Sequence, residues 1–193
     1  MKKLIFSTAL VMSLGLAACS DNEESTSNPE TVVEQNEAPI ETVGVADENE
    51  VIANAEIMTG GTFIKSVSLV DNVAVIDFYD NFDAYKAANP DSNVTEEDYK
   101  LYFETSDTID RILVTESVRL LRKTPALSGV KTTLPFEGKL YTIDLNRNSL
   151  TEYLGFDVGE LAENKDWNEK FMVPYGDDDT NRKKLFNQFG TVN

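Results

Sequence analysis

Apolar side chains fall on alternate positions at the start of the stretch 62–82, TFIKSVSLVDNVAVIDFYDNF. Phe63, Val67 and Leu69 share one parity, with Lys65 interrupting, and predict one face of a strand. Asp71-Asn72 supplies turn residues of the kind that close a tight hairpin. The next segment, Val73 to Tyr79, is apolar at nearly every residue (Val73, Ala74, Val75, Ile76, Phe78), which predicts a central strand covered on both faces. Asp77 breaks that run and is expected at a rim or in a cap, because an unpaired buried carboxylate is costly. After the loop Asn89-Pro90-Asp91-Ser92-Asn93, Thr95-Glu96-Glu97-Asp98 reads as a helix start, with Tyr99, Tyr102 and Phe103 following at helical spacing. A second helix is predicted from about Thr108 to Lys123. Ile109, Ile112, Leu113, Leu120 and Leu121 line one face of it, basic residues occupy its last turns, and Pro125 stops it. Val130 to Phe136 and Lys139 to Leu145 then predict two strands around the turn Glu137-Gly138. Strand, strand, helices, strand, strand is an α+β order: a small, mostly antiparallel sheet with helices packed on one face.

Residues 146–193 form an aromatic-rich extension. Ser149-Leu150-Thr151-Glu152 has the form of a capping box, and Arg182-Lys183-Lys184-Leu185-Phe186 that of a short basic-apolar helix ended by Gly190. Tyr153, Phe156, Trp167, Phe171, Tyr175, Phe186 and Phe189 are expected to pack the extension onto the domain rather than to form a ligand surface.

The N-terminus has a different character. Met1-Lys2-Lys3 precedes an apolar run from Leu4 to Leu16 that is shorter than the roughly 20 residues of a membrane-spanning helix. A basic start, a short apolar core and small residues before a cut read as a secretory signal over residues 1–18. Leu16-Ala17-Ala18-Cys19 resembles the lipobox of bacterial lipoproteins. That resemblance implies cleavage before Cys19, lipidation of its thiol, and a protein held at the cell membrane on its extracytoplasmic side. Cys19 is the only cysteine, so the chain has no intramolecular disulfide and no thiolate zinc site. Residues 19–57 are acidic, carry Ser, Thr, Asn, Glu and Pro, and lack aromatics; too little apolar surface is available to offset ordering, which predicts a disordered tether. The β-branched residues of Thr42-Val43-Gly44-Val45 allow an early strand between Ile40 and Val51.

The 193 residues hold 17 basic and 34 acidic side chains, a net charge of −17. That balance argues against nucleic acid, whose phosphates need cationic partners, and against adsorption on anionic lipid through the domain surface. There is no histidine, which removes Ser-His-Asp and Cys-His mechanisms and histidine-ligated metals. Asp177-Asp178-Asp179-Thr180-Asn181 offers oxygen ligands at the first, third and fifth places of an EF-hand-like loop. Arg182 stands where glycine is needed, however, and Gln188 where the bidentate Glu belongs. Asp144-Leu145-Asn146-Arg147-Asn148 fails similarly, with Ser149 at the glycine place. No metal and no cofactor is expected.

Three pieces stand out within residues 58–145: the strand-turn-strand Ser66 to Phe78, the helix Ile112 to Leu121 with Thr115 inside it, and Ser128-Gly129-Val130-Lys131 through Glu137-Gly138-Lys139. On these residues the chain resembles the GerMN domain family of bacterial germination, sporulation and other envelope lipoproteins. The chain departs from the family where Phe78-Tyr79-Asp80 replaces a step usually followed by serine, where Thr115-Glu116 replaces Thr-Leu, and in a long insert between Asp83 and Asp107. The resemblance implies a non-enzymatic envelope module that binds or positions protein or cell-wall partners, with no catalytic residue to carry over. The alternative is a cell-wall glycan hydrolase using a carboxylate pair such as Asp77 and Asp80, which would have to face each other across a cleft. Asp83 completes the acidic exit of the hairpin and is read with them as a polar rim.

Overall fold

The computed structural model describes residues 44–193 apart from residue 163. The signal, Cys19 and the tether up to residue 43 lie outside the described residues. Asp71 and Asn72 adopt φ of 51° and 63°, the left-handed pair that a two-residue hairpin turn requires. They join β1 (Ile64–Val70) to β2 (Val73–Phe78) in antiparallel register, from Val70 opposite Val73 to Ile64 opposite Phe78. Phe63, expected in the first strand, belongs instead to a single 3₁₀ turn, Gly61–Phe63.

From β2 the chain passes through α2 (Phe82–Ala88), α3 (Glu96–Phe103), α4 (Ser106–Arg111), a π-helical turn (Ile112–Glu116) and α5 (Ser117–Lys123). The start at Thr95 has the expected form: its hydroxyl accepts the Asp98 N–H at 3.1 Å and the Asp98 carboxylate accepts the Thr95 N–H at 3.0 Å. The chain then returns as β3 (Gly129–Phe136), β4 (Lys139–Asn146), α6 (Arg147–Leu154), α7 (Lys165–Trp167), a second π-helical segment (Asn168–Gly176), α8 (Asp179–Phe189) and β5 (Gly190–Val192). The sheet order is β1-β2-β3-β4-β5. Only β2 and β3 run parallel, because the helical crossover between them returns the chain in the same direction. The fold is α+β with a mostly antiparallel sheet.

β2 has a neighbour on each edge, but its two faces differ. Ala74, Ile76 and Phe78 are buried, whereas Val73, Val75 and Asp77 are half-buried. The registers align Ala74 with Val130 and Leu145, and Ile76 with Thr132 and Ile143, so one face of three strands supplies the core. Ser117 of α5 meets Thr132 at 3.0 Å, which places that helix over the same face. The nearly continuous apolar run predicted two covered faces; the structure buries one and half-buries the other.

The predicted tether ends too late. Residues 48–56 form α1 (Glu48–Glu56), whose Asp47 cap accepts the Asn49 N–H at 2.8 Å. Glu48 and Glu50 sit in the first turn, where the helix dipole favours them, and Val51 and Ala55, four residues apart, are wholly buried. An early strand is not formed over residues 44–51, and Val45 is exposed.

The C-terminal boundary also moves. β5 pairs with β4, and Leu150, Phe171 and Leu185 belong to the same core cluster as Ile76 and Ile143. Residues 146–193 are therefore part of the domain, not an extension placed on it. The cap of α6 is Asn146, whose side-chain oxygen accepts the N–H groups of Asn148 and Ser149, rather than Ser149 itself. β4 runs straight into the helix, so its last residue becomes the cap.

Candidate functional site

Pairing between β2 and β3 ends at Asp77 opposite Thr133. Beyond that pair, β2 turns away into α2 while β3 continues through Pro135 and Phe136. Pro135 has no N–H to donate and falls where the strand no longer pairs with β2, a place where a strand proline is tolerated. The divergence opens a cleft of about 190 Å³ at the carboxyl ends of the two parallel strands, lined from α2, α3 and the β3–β4 turn. Its lining is Asp80, Asn81, Phe82, Asp83, Glu96, Tyr99, Lys100, Pro135, Phe136 and Glu137.

Each wall is fixed by local chemistry. Asn81 caps α2 by accepting the Ala84 N–H at 2.9 Å, which sets Phe82 and Asp83 in the first turn. The capping box at Thr95 aims the first turn of α3, with Glu96, into the mouth. Glu137 and Gly138 have φ of 49° and 76°, so the β3–β4 turn is a second tight hairpin of the left-handed kind. The floor is the outer side of an aromatic cluster. The Phe63 ring centroid lies 5.1 Å from those of Tyr85, Tyr99 and Tyr102, and Phe103 lies 5.7 Å from Phe136. Phe82 and Tyr99 stand 6.0 Å apart at 58°, like two inclined pages.

Four carboxyl groups rim this floor. Asp80 pairs with Lys65 at 3.7 Å and Glu96 with Lys100 at 2.6 Å, both pairs largely exposed. Burial, and then the charge of Asp80, hold the Tyr99 phenol above its ordinary value. Glu96, with a smaller contribution from Glu137, holds the Lys100 ammonium above its own. With four carboxyl groups and one lysine, the lining carries net negative charge.

Of the pair Asp77 and Asp80, only Asp80 is among the lining residues of the cleft. Asp77 lies on the less covered face of the sheet, where it accepts the Ser66 hydroxyl at 3.4 Å, while Asp80 lines the cleft with Asp83. In the sequence Glu96 and Glu137 read as helix-start and turn residues; the packing of α3 and the return of β3 beside β2 put them on the same lining as Asp80. Asp178 caps α8 through the Asn181 N–H at 2.7 Å, Asp177 pairs with Arg111 at 3.2 Å, and Asp179 pairs with Arg182. Among the described residues, no group of three or more acidic side chains is arranged to hold a metal ion. Of the C-terminal aromatics, Trp167, Phe171 and Phe186 are buried, Phe156, Tyr175 and Phe189 pack against the core, and Tyr153 remains partly exposed. Trp167 stacks on Phe171 at 4.6 Å under the guanidinium of Arg122 at 5.2 Å, which is packing within the domain.

Comparison with known proteins adds no relative: no family model matches the chain, and no curated protein or solved structure matches it significantly.

Proposed function

We propose that the chain is a lipid-anchored bacterial cell-envelope protein whose folded domain is a non-catalytic, GerMN-like module that binds or positions a protein or cell-wall partner. The observation that carries the anchoring is Leu16-Ala17-Ala18-Cys19 behind a basic start and a short apolar run, with Cys19 the sole cysteine. A diacyl anchor holds a protein firmly at a membrane where one chain holds it only marginally. The strand-turn-strand and the Gly129 strand, which carry the resemblance, support the module reading, and the cleft between them offers a surface for a partner. Cys19→Ser should move the protein from the membrane fraction to the soluble one; retention in the membrane would remove the anchor from the proposal.

One observation favours a second reading: Asp80, Asp83, Glu96 and Glu137 share a cleft, as the carboxyl groups of a glycan hydrolase must. A peptidoglycan zymogram cleared by the protein, and not by its Asp83→Asn or Glu137→Gln form, would decide for the enzyme. An uncleared gel leaves the binding module.

A further inference from the structure

We propose that the cleft at the ends of β2 and β3 receives an alkylammonium group, presented as a lysyl side chain by a basic partner. The inference rests on the reading of the domain as a binding module and names the chemistry that its cleft selects.

Size comes first. A cavity of about 190 Å³ is smaller than the roughly 300–1,000 Å³ of ordinary small-molecule sites, and suits the end of one side chain better than a cofactor or a run of sugar rings. The lining is divided as a lysyl chain is divided. Phe82, Tyr99 and Phe136 give the lining aromatic, apolar surface for methylenes, and an aromatic ring attracts a cation held within about 6 Å of its face.

Charge selects the terminus. Asp83 and Glu137 make no ion pair among the described residues, although both line the cleft. Asp80 and Glu96 are engaged only by exposed lysines, and exposed pairs exchange at little cost. An ammonium already sits at the edge of the cleft, where Lys100 pairs with Glu96 at 2.6 Å. With a net charge of −17, the chain also draws cations toward it and repels anionic ligands.

The test is calorimetric titration of the full chain in a non-ionic detergent. The probes are a short neutral peptide with one central lysine, the same peptide acetylated at that lysine, and n-butylammonium chloride. The lysine peptide should bind with a millimolar dissociation constant, and acetylation, which removes the charge, should weaken it about tenfold or more. Asp83→Asn and Glu137→Gln should each weaken binding about 3-fold, whereas Lys100→Met, which frees Glu96, should strengthen it about 2-fold. Equal binding of the acetylated peptide, or weaker binding to folded Lys100→Met protein, overturns the proposal. Butylammonium binding as tightly as the peptide overturns the partner side chain in favour of a free amine. Capture from envelope extracts separates the two levels. A partner held equally by wild type and by Glu137→Gln refutes the ammonium site but not the module; lysine-peptide binding with no partner captured refutes the module but not the site.

Discussion

Arg182 is wholly buried, and its neighbours explain how that is tolerated. The Gly176 carbonyl accepts its guanidinium at 2.6 Å, Asp179 pairs with it at 2.5 Å, and Asp107 pairs with it from α4. Read in the sequence as the first residue of a basic-apolar helix, it is the pin between α8 and α4. Asp110, one turn after Asp107, is also buried and is less well served. Burial pushes its carboxyl above the ordinary value of 3.8; Lys183 and Arg182 oppose the rise and Asp107 adds to it. A raised carboxyl binds its proton more tightly in the folded state than in the unfolded one. Its charged form therefore costs stability, progressively as pH climbs from the unfolded value through the folded one, and in full above that. Asp110→Asn should accordingly be more stable than wild type at pH 7, with the difference vanishing below the ordinary carboxylate value. Urea unfolding at pH 7 and near pH 3 measures it, and a variant no more stable at pH 7 would contradict the argument. Asp179 has the opposite sign: Arg182 holds it low, so its contribution is present above its unfolded value and is lost as pH falls through the folded one.

Arg147, the first residue of α6, ties four segments together. Its guanidinium donates to the Leu121 carbonyl at 2.6 Å, the Thr124 carbonyl at 3.2 Å and the Leu127 carbonyl at 2.7 Å, and pairs with Asp157 at 2.8 Å. A cation on the open carbonyls at the end of α5 satisfies groups that the helix cannot, in favourable dipole geometry. Arg147→Met keeps much of the volume but strands those carbonyls and Asp157, so it should destabilise the fold by about 2–4 kcal/mol. An unchanged urea midpoint would show that water replaces the guanidinium. No sequence cue marked Arg147, since its partners lie 10 to 26 residues away. The same boundary separates what could be read from what could not. The Asp71-Asn72 turn, the helix start at Thr95 and the apolar face from Ile109 to Leu121 rest on neighbours within a few residues and appear as expected. The parallel pairing of β2 with β3, the docking of α1 through Val51 and Ala55, and β5 depend on distant partners. Ile112–Glu116 and Asn168–Gly176 depart from regular helix into π-helical form, which no apolar spacing announced. The cleft belongs to the same class, because Glu137 and Asp80 meet only after the crossover has closed.

Domain limits decide which pieces of the chain can stand alone. Read from the sequence, residues 58–145 are a module and 146–193 an addition. In the structure, a cut after Leu145 removes β5 from the edge of β4, strips Leu150, Phe171, Leu185 and Phe186 from the core, and takes Arg147 from the end of α5. Each buried side chain of that size contributes about 1.5–3 kcal/mol, so losing four of them approaches or exceeds the 5–15 kcal/mol by which domains are stable. The chain cut after Leu145 should show no cooperative unfolding transition by circular dichroism. The amino-terminal limit should give a graded result. A chain beginning at Met58 lacks Val51 and Ala55, both wholly buried, and the Glu48 carboxylate that accepts the Leu69 N–H at 3.3 Å. It should unfold cooperatively but be about 2–4 kcal/mol less stable than one beginning at Gly44. A cooperative transition in the chain cut after Leu145 would mean that residues 58–145 close a core of their own. The resemblance over those residues would then describe a domain rather than a part of one.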